Sequence, residues 1–155
     1  MDNWRKLQKL SWSEWSLLAQ ALLMLPLTKL GLRLIGFRRW QSVLASVAPI
    51  AAVPAANATS NSVGQAQLTV RMVRIAACYG PYRANCLSQS LTLWWLLRRR
   101  GIESDLRIGV RTEESRFQAH AWVERTGLVL NDTADVHHRF VPFDCTFMPV
   151  DLEVR

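Results

Sequence analysis

Between Asn85 and Gly101 the chain carries a helix with both ends marked. Asn85 is a good side-chain acceptor for a helix N-terminus, and the run from Cys86 to Arg100 has helical character. Arg98, Arg99 and Arg100 fill the last turn, where cations meet the negative end of the helix, and Gly101 stands where a left-handed residue closes it. The period then changes. Leu106, Ile108 and Val110 alternate with Arg107, Gly109 and Arg111, which reads as a half-buried strand. Ala119 to Glu124 and Leu128 to Asp132 read as a second and third strand around Thr126-Gly127. The tail from Phe140 to Val150 holds two prolines and alternating apolar residues, and is expected to add an edge strand. A capped helix followed by short alternating segments points to an α+β fold, with the helix packed on a small antiparallel sheet.

The front of the chain is helical in pattern. Residues 4–25 have helical spacing, with a start near Ser11 to Ser13, and Pro26 is expected to kink or end that helix. A second helix is expected over roughly Leu27 to Leu44, with Leu30, Leu34, Phe37 and Trp40 set against Lys29, Arg33, Arg38 and Arg39. This amphipathic, basic piece is read as a surface helix packed on the domain rather than a membrane or partner site. The apolar run Leu17 to Leu27 is broken by Gln20 and Pro26. It falls short of the ~20 residues a membrane span needs, so it reads as a core or interfacial helix. The N-terminus lacks a signal-peptide pattern. Residues 49–67 are rich in Ala, Pro, Asn and Ser and are expected to be a linker, although a third helix is expected from about Val63 to Cys78. The expected organisation is a helical N-terminal region over 1–48, a linker over 49–67 and a second domain over 68–155.

Half of the residues are hydrophobic and seven are Trp, enough for a packed core. The net charge of +7 is uneven: residues 1–60 hold seven Lys/Arg against two Asp/Glu. A basic front suits nucleic acid, an anionic membrane surface or an acidic partner. No zinc-finger spacing or RNP-type sequence accompanies it, so nucleic acid is not an expected partner. The three cysteines, Cys78, Cys86 and Cys145, have no CxxC spacing and make no disulfide framework. The expectation is a cytoplasmic protein without metal or cofactor.

Cys86 begins the marked helix. Unpaired N–H groups and partial positive charge at a helix N-terminus stabilise a thiolate, and the same N–H groups can bind an oxyanion. His120 lies in a strand between Ala119 and Ala121, small neighbours that allow close approach of another element. With Arg125-Thr126-Gly127 as a three-residue hairpin loop, residue 120 pairs with residue 132, and His120 and Asp132 share one face. Asp132 then orients the imidazole while its other nitrogen faces Cys86, a nucleophile–base–orienter set. A two-residue loop at Thr126-Gly127 would move Asp132 off that face and leave Asp135 as the fallback. Cys78 and Cys145 are read as structural thiols, His137-His138 as a solvated pair, and Trp94 and Trp95 as core or partner contacts. Tyr79, Tyr82 and Gln89 are candidate side-chain oxyanion donors, left unassigned.

The stretch Asn-Cys-Leu-Ser-Gln-Ser-Leu-Thr-Leu-Trp-Trp-Leu-Leu-Arg-Arg-Arg-Gly-Ile, residues 85–102, resembles the cysteine segment of the lasso peptide biosynthesis B2 proteins. Residues 106–111, 117–124 and 130–132 resemble the same family. These proteins have a transglutaminase-like or papain-like core. The resemblance implies a cysteine protease, with Cys86, His120 and Asp132 as its triad, that removes the leader from a ribosomal precursor peptide. It also implies two partners: a stand-alone leader-recognition protein of the B1/RRE type, since residues 1–60 are too short for that module, and an ATP-dependent lasso cyclase. Two other readings use the same residues. One is transglutaminase- or amidase-type acyl transfer, and the other is a non-catalytic binding scaffold with Cys86 in its core.

Overall fold

A computed structural model of the chain describes residues 11–48, 59–81, 83–113 and 116–142. The fold is α+β: among the described residues four helices precede a small antiparallel sheet. Helix α1 spans Trp12–Ile35, α2 Phe37–Val47, α3 Thr59–Tyr79 and α4 Cys86–Arg99. Strands β1 (Asp105–Glu113), β2 (Arg116–Arg125) and β3 (Leu128–Val129) follow, then a single turn, α5 (Val136–Arg139), and β4 (Val141–Pro142). The sheet order is β3-β2-β1-β4, with antiparallel neighbours throughout.

Helix α1 starts where Ser11 and Glu14 form a reciprocal cap: Glu14 N–H donates to Ser11 Oγ, and Ser11 N–H donates to the Glu14 carboxylate. Pro26 does not end it. Met24 and Leu25 before the proline and Thr28 and Gly31 after it are all buried, so packing holds both sides of the interruption in one helix. The break falls instead at Gly36, whose φ of 80° and ψ of 171° suit a residue without Cβ.

The expected linker also differs. Residues 49–58 lie outside the described residues, but the chain is helical from Thr59 onward. Ala66, Thr69, Met72, Val73 and Ala76 recur at helical spacing and are buried, so burial of this stripe overrides poor local propensity. Helices α1 to α4 contribute, with Leu106 and Val123 of the sheet, to one hydrophobic core. The front helices are thus continuous with the core that carries the sheet.

Helix α4 has the two ends that its sequence marks. Asn85 accepts from Ser88 N–H at 2.8 Å. At the other end Gly101, at φ 69°, donates to the Arg98 carbonyl, and Ile102 N–H donates to the Leu97 carbonyl. Trp94 and Trp95 are buried, each with an arginine of the last turn over its ring. Arg98 also donates to the Ala48 carbonyl at 2.7 Å, tying the end of α4 to the end of α2.

The β2–β3 connection is tighter than the sequence suggested. Arg125 pairs with Leu128 and Glu124 with Val129, so the loop is two residues, Thr126 and Gly127, both at positive φ. That is the turn whose twist matches a hairpin. The third strand is two residues rather than five. Val141–Pro142 pair with β1, so the described start of the tail does form an edge strand; residues 143–155 lie outside the described residues.

Candidate active site

The two faces of β2 have different fates. Ala121 and Val123 are buried toward α4, whereas His120, Trp122 and Glu124 project to the opposite face. Asp132 reaches His120 despite the two-residue loop. Leu130 N–H donates to the Val123 carbonyl, but the Val123 N–H is taken by the Asn131 side chain at 2.8 Å. The ladder stops there and the chain turns out of register. Asp132 then hydrogen-bonds through Oδ2 with His120 Nε2. The pairing of residue 120 with 132 is therefore corrected, because β3 is too short to carry a register that far. Asp135 is not the partner; it is exposed and pairs with Arg139 Nε at 3.1 Å.

The other oxygen of Asp132 is also occupied. Its Oδ1 accepts from Thr133 N–H at 2.7 Å and from Arg139 Nη2 at 3.0 Å. Partial burial raises the Asp132 carboxyl. The Thr133 N–H, the His120 hydrogen bond and the charge of His120 together outweigh that and hold it below the usual carboxylate range. An ionised Asp132 only accepts, so His120 Nε2 carries the proton of this bond and Nδ1 is the free ring nitrogen. Nδ1 has no hydrogen-bond partner among the described residues. The ring is held by stacking at 5.0 Å from Phe140 and 6.2 Å from Trp122, centroid to centroid.

Beyond Trp122 lies a second polar cluster. Glu124 is buried and accepts from Trp122 Nε1 at 2.5 Å, with Arg107 Nε at 3.5 Å and His137 Nε2 at 3.3 Å. His137 is thus not simply solvated; its ring packs edge-on against Trp122. Gly109, paired with His120 across the sheet, leaves the space that this packing needs. A Cβ there would lie 2.8 Å from the Trp122 ring and 3.0 Å from Phe140 Cβ.

Cys86 is the first residue of α4, partly exposed and a free thiol. Ser90, one turn later on the same side of the helix, fixes its position relative to the sheet. Ser90 Oγ donates to the Ala121 carbonyl at 2.8 Å and accepts from Asn131 Nδ2 at 2.9 Å. The Ala121 carbonyl points to the edge of β2 that β3 has left. Because α4 leads through Ile102 into β1 at Asp105, opposite Glu124, its N-terminus points toward the Arg116 end of β2. Cys86 stands four residues before Ser90, at the N-terminal end of the helix that meets the Ala121 carbonyl. Among the described residues no hydrogen bond joins Cys86 to His120; the imidazole and Asp132 are the bonded pair.

Of the candidate oxyanion donors, Gln89 spends its amide on the Ala84 carbonyl at 3.0 Å, Tyr79 is exposed, and Tyr82 lies outside the described residues. Cys78 is exposed rather than buried, and Cys145 lies outside the described residues. Ser90, Asn131, Arg139 and Phe140 are site residues that the strand and helix pattern does not mark. Its place one turn after Cys86 was the only signal for Ser90, among the other polar residues Ser88, Gln89 and Thr92. Asn131, Arg139 and Phe140 act through tertiary contacts.

Comparisons to known proteins give the family. The family profile of the transglutaminase-like superfamily matches residues 31–144. The chain belongs to that superfamily. Its sequence is also similar to the microcin J25-processing protein McjB of Escherichia coli, at 38% identity over 58 residues. That match covers 37% of this chain and 27% of McjB. No solved structure matches the chain.

Proposed function

We propose that the protein is a cysteine protease that removes the leader from a lasso peptide precursor, with Cys86 as nucleophile, His120 as base and Asp132 as orienting group. The observation that carries this reading is the His120–Asp132 hydrogen bond, which uses Nε2 and leaves Nδ1 without a hydrogen-bond partner among the described residues. Membership of the transglutaminase-like superfamily supports thiol acyl chemistry, and similarity to a microcin J25-processing protein supports a precursor peptide as substrate.

In this mechanism His120 Nδ1 takes the Cys86 proton and the thiolate attacks the scissile carbonyl. The first-turn N–H groups of α4 other than that of Ser88, which donates to Asn85, can bind the oxyanion. His120 returns the proton to the departing amine, which becomes the N-terminus of the core peptide. The leader stays as a thioester until water, deprotonated by His120, releases it. General acid–base help of this kind is worth about 10²–10⁴-fold. The substrate can lie extended along β2: residues 117 and 119 direct their backbone groups to the edge that β3 leaves open, beside His120. A leader-recognition protein of the B1/RRE type would deliver the precursor, and a lasso cyclase would consume the freed amine, in the cytoplasm.

Incubation of the protein with precursor and recognition protein, followed by mass spectrometry, tests the reading. Backbone scission between leader and core is expected. Loss of about seventeen mass units, or crosslinking, without scission would instead establish acyl transfer on a glutamine side chain.

A further inference from the structure

Helix α1 has two unlike sides. Leu17, Leu18, Ala21, Met24, Leu25, Thr28 and Gly31 are buried against the rest of the core. On the opposite side Leu23, Leu27, Leu30 and Leu34 follow at spacings of four, three and four, and Trp12 continues the stripe toward the N-terminus. Trp12 is 90% exposed, Leu23 70% and Leu34 71%. Such a stripe, on a helix about 36 Å long, is larger than the scattered apolar residues of an ordinary surface.

From Trp15 onward the charge around the stripe is of one sign; Glu14, in the first turn, is engaged in the cap with Ser11. Exposed Lys29 and Arg33 lie on its margin, and exposed Arg38 and Arg39 follow on α2. No acidic residue occurs from Trp15 to Ala48, and none of the four cations is in an ion pair among the described residues. The sequence ahead of α1, with Trp4, Arg5, Lys6 and Lys9, continues this composition. Helix α1 is long and apolar enough to cross a membrane by length and composition, yet a third of its most apolar window is buried in the protein. A helix bound to its own core along one side is suited to lie flat.

We propose that this face of α1 docks on an anionic lipid bilayer. Leucines at the centre and cations at the margin match the layering of hydrocarbon beneath phosphate, and long basic side chains reach the headgroups while their stems stay apolar. The docking places α1 parallel to the surface with Trp12 and Trp15 at interfacial depth. It does not depend on the chemistry at Cys86.

Co-sedimentation of the full chain with vesicles tests this at low salt, comparing phosphatidylglycerol–phosphatidylcholine mixtures with phosphatidylcholine alone. Binding to the anionic vesicles at least about tenfold tighter is expected, since each cation near such a surface adds severalfold. The pair Leu23→Asp and Leu30→Asp, exposed and away from the core, is expected to abolish binding while the thermal melt is kept. Lys29→Gln with Arg33→Gln is expected to remove the preference for anionic lipid. Failure to bind the anionic vesicles overturns the proposal, as does equal binding to both vesicles. So does a dimer that forms in solution without vesicle binding and is broken by the Leu23 and Leu30 changes.

Discussion

Arg139 holds the oxygen of Asp132 that His120 leaves: Oδ2 meets the imidazole and Oδ1 meets the guanidinium at 3.0 Å. Both oxygens of the carboxylate thereby have a partner. Arg139 also donates to Thr133 Oγ1 at 2.8 Å, so the loop that carries Asp132 is clamped together with it.

Replacing Arg139 with Leu is therefore expected to lower kcat for precursor cleavage by about five- to tenfold, with KM little changed. A charge-assisted hydrogen bond is worth about 1.5–3 kcal/mol, and partial exposure of this one discounts it. Steady-state kinetics check this, and an unchanged kcat would show that Thr133 and His120 hold Asp132 unaided.

Asp132→Asn keeps the shape of the side chain and removes its charge. The expected loss in kcat is about 10²–10⁴-fold, because the amide no longer fixes the imidazole tautomer. The same variant reports on pH. The folded Asp132 carboxyl lies below its ordinary value, so its contribution to stability is complete above the usual carboxylate range and is lost as pH falls through the lowered value. The gap in denaturant stability between wild type and Asp132→Asn is thus expected to close as the solution is acidified through and below the usual carboxylate range. A gap that keeps widening below about pH 4 would contradict the assignment.

At Gly109 the expected effect is steric. A methyl group would meet the Trp122 ring at 2.8 Å and Phe140 Cβ at 3.0 Å, the two rings on which His120 stacks. Gly109→Ala is expected to destabilise the fold by about 1–3 kcal/mol and to slow cleavage beyond what lost folded protein explains. Chemical denaturation combined with activity per folded molecule separates the two effects.

Much of this site is legible in the sequence because it depends on local rules. Asn85, Arg98 and Gly101 mark the ends of α4, so Cys86 falls at a helix N-terminus from pattern alone. The alternation of residues 106–111 and 119–124 likewise gives β1 and β2. What fails is whatever a distant contact decides. An end at Pro26 is overruled by the burial of Met24, Leu25 and Thr28, and the linker up to residue 67 by the buried stripe from Ala66 to Ala76.

Asp132 illustrates both sides. The expected route was a three-residue loop; the loop has two residues, and Asn131 ends the strand by taking the Val123 N–H. Register counting cannot foresee that, since it assumes that the ladder continues. The partners on the far side of the sheet, Arg139 and Phe140, sit on a four-residue helix and its exit, which carry no periodic signal.

The edge of β2 beyond β3, unpaired among the described residues, gives a separate expectation. Ala119 lies next to His120 and directs its N–H away from β1, so Ala119→Pro removes an edge donor without breaking a β1–β2 hydrogen bond. KM for the precursor is expected to rise severalfold while alkylation of Cys86 by iodoacetamide, measured in a Cys78→Ser background, stays as fast. An unchanged KM would place the substrate elsewhere.

The most direct measurement is precursor cleavage by Cys86→Ala in the presence of the leader-recognition protein, followed by mass spectrometry. The substitution removes one sulfur from a partly exposed position and leaves the Asn85 cap and the Ser90–Ala121 contact in place. The expected result is a folded protein with no detectable scission. Cleavage at the wild-type rate would contradict the assignment of Cys86 as the nucleophile.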